Sequence, residues 1–273
     1  MRPGFRLARV RVAAAALALL AAASASAQTE TPAGAGFIVR IDKRLDALVP
    51  AGAAIEKVAD GFVFLEGPVW RNADSRLFYS DLRGNAIYQW TAAEGVRDYS
   101  KPFFPGDGAG LRGVGPNGIA LDSQGRLVAC VYGSRSVIRI EKDGTRTTLA
   151  DKFEGKRLNS PNDLVVARDG TVYFTDPSFG LENTDNSPLR EQTFNGVYRV
   201  RANGQIDVMT REQERPNGLV LSPDERILYV ANSGGAFTGW YAYELGPAGL
   251  SNKREFFDLE GMQGEGGADG MKV

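Results

Sequence analysis

The chain has 273 residues, with 32 Lys and Arg against 33 Asp and Glu, one cysteine and no histidine. A net charge of −1 excludes the broad basic face that nucleic-acid binding needs. The missing histidine excludes Ser-His-Asp and Cys-His couples and imidazole zinc sites, so hydrolysis would have to rest on carboxylates, amides or an oxygen-preferring metal ion.

The first 27 residues read as a secretory signal peptide. Arg2, Arg6, Arg9 and Arg11 precede an uncharged run from Val12 to Ala23, and Ala25-Ser26-Ala27 supplies a small-residue cleavage site. That run is too short to cross a bilayer, which takes about 20 apolar residues. The expectation is a periplasmic or secreted protein with no membrane attachment after cleavage. Residues 28–273 are mildly acidic and long enough to bury the core of a single domain.

Beyond the signal, helical periodicity is scarce and short apolar or alternating runs dominate. Phe37–Ile41 reads as an N-terminal closing strand whose partners would be absent. Arg76–Ser80, Ala86–Trp90, Arg126–Cys130, Ser136–Glu141, Thr171–Thr175, Gly196–Arg201 and Ile227–Ala231 follow, each bounded by Gly, Pro, Asn or Asp. Gln124-Gly125, Asp143-Gly144, Asp169-Gly170 and Asn203-Gly204 suit hairpins that need positive φ. Cys130 lies inside an apolar run, so it reads as a buried strand residue with no disulfide partner.

Through these strands runs a repeated phrase: Glu66-Gly67-Pro68-Val69-Trp70, Pro116-Asn117-Gly118, Pro161-Asn162-Asp163, Pro216-Asn217-Gly218 and Asp269-Gly270-Met271. The period is near fifty residues, and each copy is a strand, a turn and a second strand with room for about two more. Four antiparallel strands per period is the blade of a β-propeller. In that geometry Glu66, Asn117, Asn162, Asn217 and Asp269 share one face around the axis. Asp81, Asp176 and Asn232, which end the second strands, stand farther out on the same side. Pro-Asn-Gly alone is a turn phrase, but a turn does not ask for Glu in the same slot.

This ordered set, with Phe174-Thr175-Asp176-Pro177 and Ser222-Pro223-Asp224, resembles the gluconolactonase / senescence-marker-protein (regucalcin) family over Phe37–Val273. The resemblance implies an all-β, six-bladed β-propeller of four-stranded antiparallel blades with an axial divalent metal, and hydrolysis of sugar-type lactones. Position by position it implies Glu66, Asn217 and Asp269 as metal ligands, Asn162 as an amide on metal or substrate, and Asp269 as the acid that activates water. Asn117 occupies an equivalent slot, and Asn117, Asn162 and Asp176 are the expected substrate contacts. Two carboxylates with amide carbonyls form a hard oxygen set that suits Ca²⁺ best, with Mg²⁺, Mn²⁺ or Zn²⁺ as alternatives.

Members of that family continue past the Asp-Gly-Met phrase, so a truncated propeller of about four full blades plus partial ones is expected. The competing readings are a non-catalytic propeller that binds a partner on this face and an inactive metal-binding fragment. Loops Pro102–Gly113 and Gly180–Thr193 are the segments expected to set substrate choice.

Overall fold

The structure is a computed structural model that describes residues 36–262 and 266–273, so the expected signal peptide lies outside the described residues. Residues 36–57 form one unit and residues 58–273 another. In the first, Asp42 caps a 3-10 turn, Lys43–Ala47, by accepting the Arg44 N–H at 2.8 Å, and Arg40 pairs with Asp46 at 2.6 Å. Phe37–Ile41, expected as a strand, is not one. A strand exists only where its N–H and C=O groups find a ladder; here none forms, and Phe37 and Ile41 are exposed.

The second unit is built of β-strands. The first sheet holds β1 (Leu65–Arg71), β2 (Arg76–Asp81), β3 (Ala86–Thr91) and β4 (Gly95–Ser100). The second holds β5 (Pro116–Leu121), β6 (Leu127–Val131), β7 (Ser136–Ile140) and β8 (Arg146–Ala150). A two-stranded hairpin follows, β9 (Lys152–Phe153) with β10 (Lys156–Arg157). The third sheet holds β11 (Leu164–Val166), β12 (Val172–Asp176), β13 (Gly196–Val200) and β14 (Ile206–Thr210). The fourth holds β15 (Pro216–Leu221), β16 (Ile227–Ser233), β17 (Thr238–Gly246) and β18 (Gly249–Asp258). All four four-stranded sheets are antiparallel meanders in chain order, the expected blade.

Turn chemistry sets the hairpins. In Asp143-Gly144, Asp169-Gly170 and Asn203-Gly204 the glycine sits at φ +84°, +86° and +85°, and the Asx side chain accepts the N–H two residues on at 2.8–3.0 Å. Glycine reaches that conformation without the Cβ penalty, and the short Asx side chain closes the turn locally.

Packing follows from strand alternation. On β6, Leu127, Ala129 and Val131 face the first blade, where they pack with Phe78 and Ile87, alongside Ile119 of their own blade. Val128 and Cys130 face the third blade, with Leu164, Phe174 and Tyr198. A strand buried on both faces has no polar side, which explains the continuous apolar run around Cys130. The same device on β12 sends Phe174 toward the second blade and Tyr173 toward the fourth. The innermost strands β1, β5, β11 and β15 neighbour one another in that order.

Candidate metal and substrate site

Three of the five repeated phrases lie at the start of an inner strand where the ladder slips, while Pro161-Asn162-Asp163 runs directly into β11 and Asp269-Gly270-Met271 lies outside any strand. The register shifts between Glu66 and Val69 on β1, between Pro116 and Ile119 on β5, and between Pro216 and Leu219 on β15. Such a bulge leaves extra residues unpaired and turns the strand toward its neighbour.

The glycine after three of the leads, Glu66, Asn117 and Asn217, then meets the neighbouring phrase at backbone distance. A Cβ on Gly67 would lie 2.6 Å from the Asn117 carbonyl oxygen. One on Gly118 would lie 2.6 Å from the Asp163 Cα, and one on Gly218 would lie 2.5 Å from the Asp269 carbonyl oxygen. Only glycine permits this approach. Hydroxyls stitch the same seam: Ser80 Oγ donates to the Asn117 carbonyl at 2.5 Å, Thr175 Oγ1 to the Asn217 carbonyl at 2.8 Å, and Ser233 Oγ to the Ala268 carbonyl.

The result is that Glu66, Asn117, Asn162, Asn217 and Asp269 line a single cavity of about 450 Å³, joined by Asp163 and Lys272. The amides are oriented. Asn217 Nδ2 donates to Ser233 Oγ at 2.8 Å. Because Ser233 gives its single proton to the Ala268 carbonyl, it can only accept from Asn217, and Asn217 Oδ1 is the end left for the cavity. Asn117 Nδ2 and Asn162 Nδ2 both donate to Tyr132 Oη, at 2.9 and 3.0 Å.

The cavity is short of positive charge. Burial first, then the charges of Asp269 and Asp163, push Glu66 up to about 7, against the Gly67 N–H and Lys272. Asp163 is also held above the usual carboxylate range by burial, with Lys272 Nζ at 3.8 Å opposing. One oxygen of Asp269, Oδ1, accepts the Gly270 N–H at 2.9 Å; the side chain is otherwise exposed. Among the described residues no three carboxylate or thiolate side chains gather as a ligand set by themselves. What the cavity offers a cation is a mixed set of carboxylate and amide oxygens.

Asp176, expected among the substrate contacts, does not reach the cavity. It is 0% exposed, and its oxygens accept the N–H groups of Asn159 and Ser160 at 2.7 and 2.8 Å. Asp81 does the same for Val63 and Phe64, and Asn232 for Arg215. These residues clamp the loops that deliver Glu66, Asn162 and Asn217, and none of the three lines the cavity. Sequence reasoning also missed Asp163, Tyr132 and Lys272. A signal existed for Tyr132: it follows the end of β6 as Ser233 closes β16, and both N–H groups bond the residue two before the lead, Gly115 and Arg215.

Residues 64–273 match the SMP-30/Gluconolactonase/LRE-like region. The chain is 36% identical over 250 residues to the gluconolactonase of Zymomonas mobilis, covering 87% of this chain and 69% of that protein. Among solved structures, a gluconolactonase of Xanthomonas campestris superposes with a TM-score of 0.64 at 35% identity, covering 73% of this chain and 64% of that one, just under two thirds of its length. The calcium-binding protein regucalcin of Agrobacterium tumefaciens shares the fold, with a TM-score of 0.57 at 16% identity over 77% of this chain and 64% of that one. The solved structures it resembles are six-bladed propellers, and this chain is all-β with four four-stranded antiparallel sheets. With the match spanning nearly the whole second unit and every repeated phrase in it, the chain belongs to the SMP-30/gluconolactonase/LRE-like family.

Proposed function

We propose that this protein is a metal-dependent hydrolase that opens sugar-type lactones. The reading rests on one observation: lead side chains of successive repeats, Glu66, Asn117, Asn162, Asn217 and Asp269, meet in one cavity with the amide nitrogens tied back by hydroxyls. Homology to a gluconolactonase supports the same chemistry.

Glu66, Asn162, Asn217 and Asp269 are the residues that would hold a divalent ion. An all-oxygen set of carboxylates and amide carbonyls favours a hard cation, Ca²⁺ first. Burial and then the charges of Asp269 and Asp163 raise Glu66, and a cation beside it would oppose both. When bound, a cation of this kind polarises the lactone carbonyl and supports the charge that develops on it.

The chain's own residues supply the rest. Asp269, with one oxygen engaged by the Gly270 N–H, keeps its second oxygen for a proton. It takes that proton from the attacking water and returns it to the ring oxygen as the ester bond breaks, so no histidine is required. Asn117, beside Asn162 on the cavity wall, is placed to bond sugar hydroxyls.

Hydrolysis of an aldonolactone, followed by acid release in a pH-stat, tests the reading. Turnover should vanish with chelator and return with Ca²⁺. Asp269→Asn should lower kcat by a factor on the order of 10²–10⁴, the usual worth of a positioned general base. Chelator-insensitive turnover, or full activity in Asp269→Asn, would refute it.

A further inference from the structure

We infer that Tyr132 is a positioning residue of this site: its hydroxyl, accepting from Asn117 and Asn162 together, turns both amide oxygens toward the bound cation and substrate. This assignment rests on the function proposed above.

Tyr132 follows β6, and its side chain is 3% exposed. Asn117 belongs to the second blade and Asn162 to the third, so one oxygen atom joins the lead residues of two blades at 2.9 and 3.0 Å. A phenol has one proton and two lone pairs, so at most one amide could ever present its oxygen to Tyr132. Accepting from both makes both Oδ1 atoms available to the cavity. Without the hydroxyl, each amide could rotate by half a turn and offer N–H groups to a cation, which repels them.

The phenol ring is held from the other side. A Cβ on Gly180 would lie 2.5 Å from Tyr132 Cδ2 and 2.7 Å from the Ser160 Cβ, so glycine is required for the ring to sit there. Gly180 is fixed in turn: its N–H donates to Ser160 Oγ at 2.9 Å, and its carbonyl accepts the Arg112 N–H at 2.8 Å. An isolated bridge between Leu111 and Leu181 joins the two face loops beside it. Tyr132 therefore sits beneath a strap made of both loops, with its hydroxyl as the only polar atom of the ring. Partners that orient metal ligands in this way change metal affinity although they never touch the metal.

The test is a Ca²⁺ titration against a chromophoric chelator, using the full chain as wild type, Tyr132→Phe, Asn162→Ala and the double variant. Tyr132→Phe should weaken Ca²⁺ about tenfold or more, the usual effect of removing a ligand's orienting partner. In the Asn162→Ala background the same change should have a much smaller effect, because its main target is gone. A purely structural role would give additive losses. Wild-type binding with unchanged affinity in Tyr132→Phe, or additive losses, overturns the assignment alone. A wild type that binds no Ca²⁺ overturns the site and the assignment with it. If Tyr132→Phe does not fold by circular dichroism, Gly180→Ala carries the test. It keeps the hydroxyl but displaces the ring, so weakened Ca²⁺ binding is expected and unchanged affinity overturns the proposal.

Discussion

At Asp176 two backbone N–H donors meet a carboxyl that is fully buried. Burial pushes that carboxyl up to about 7, outweighing the two donors that favour its charged form. Its value in the unfolded chain is that of a free aspartate, 3.8. The folded protein thus holds this proton more tightly, so the contribution to stability is full below the unfolded value and lost as pH rises toward about 7. Asp176→Ala should cost about 2–4 kcal/mol, since it strands two buried N–H groups. The gap to wild type should be wider at about pH 5 than at about pH 8. Urea denaturation of both proteins without metal measures it, and a gap that widens with pH would contradict the assignment. For lactone hydrolysis at a temperature where both are folded, KM should be unchanged. The expectation of a substrate contact here came from meander geometry, which puts Asp176 on the right face. It cannot say that the carboxylate is already spent on the loop before Asn162. Glu66 was legible because a turn phrase has no local reason for Glu, and Asp269 because it fills the same slot of the repeat. Tyr132 carried only the positional signal of following β6, because its role depends on where a long side chain ends.

The seam between neighbouring inner strands depends on small residues in one slot. A Cβ on Gly118 would meet Asp163 Oδ1 at 2.3 Å, its Cα at 2.6 Å and the Asn162 carbonyl oxygen at 2.9 Å. Two of these are backbone atoms that cannot swing aside. Gly118 N also donates to the Asn162 carbonyl at 2.8 Å, so the clash would pry open a hydrogen-bonded contact. Gly118→Ala should therefore destabilise by about 1–3 kcal/mol, the range for overpacking a tight contact. Gly246→Ala, where the nearest atom to a new Cβ is 3.9 Å away, should be nearly neutral. Chemical denaturation compares them; equal midpoints would show that the seam tolerates a methyl group. The strands themselves were readable from turn chemistry and alternation: Arg76–Asp81, Leu127–Val131 and Val172–Asp176 lie within a residue of their expected bounds. The short β9–β10 hairpin was not, because two-residue strands carry no periodicity. Phe37–Ile41 has β-forming residues, but composition cannot supply the partner that makes a strand.

Over the whole second unit, the candidate ligands come from four separate repeats, so a bound cation would close contacts that the chain leaves more than a hundred residues apart in sequence. Blades that touch only their neighbours are otherwise stabilised by nearest-neighbour seams, and one ion on the axis would couple all of them. An ion that binds the folded state alone adds about 2.7 kcal/mol at a hundred times its dissociation constant. For a chain of this size each kcal/mol moves the unfolding midpoint by about 2–4 °C, so saturating Ca²⁺ should raise Tm by roughly 5–10 °C. Glu66→Gln keeps the side-chain volume and removes the charge, and it relieves the carboxylate repulsion as well. Without metal it should therefore be as stable as wild type or more so, while its Ca²⁺-dependent shift should largely disappear. Thermal unfolding of both proteins with Ca²⁺ and with chelator separates the two effects. A wild-type Tm indifferent to Ca²⁺ would remove the axial ion from the proposal, and a full shift retained in Glu66→Gln would place the ion away from this cavity.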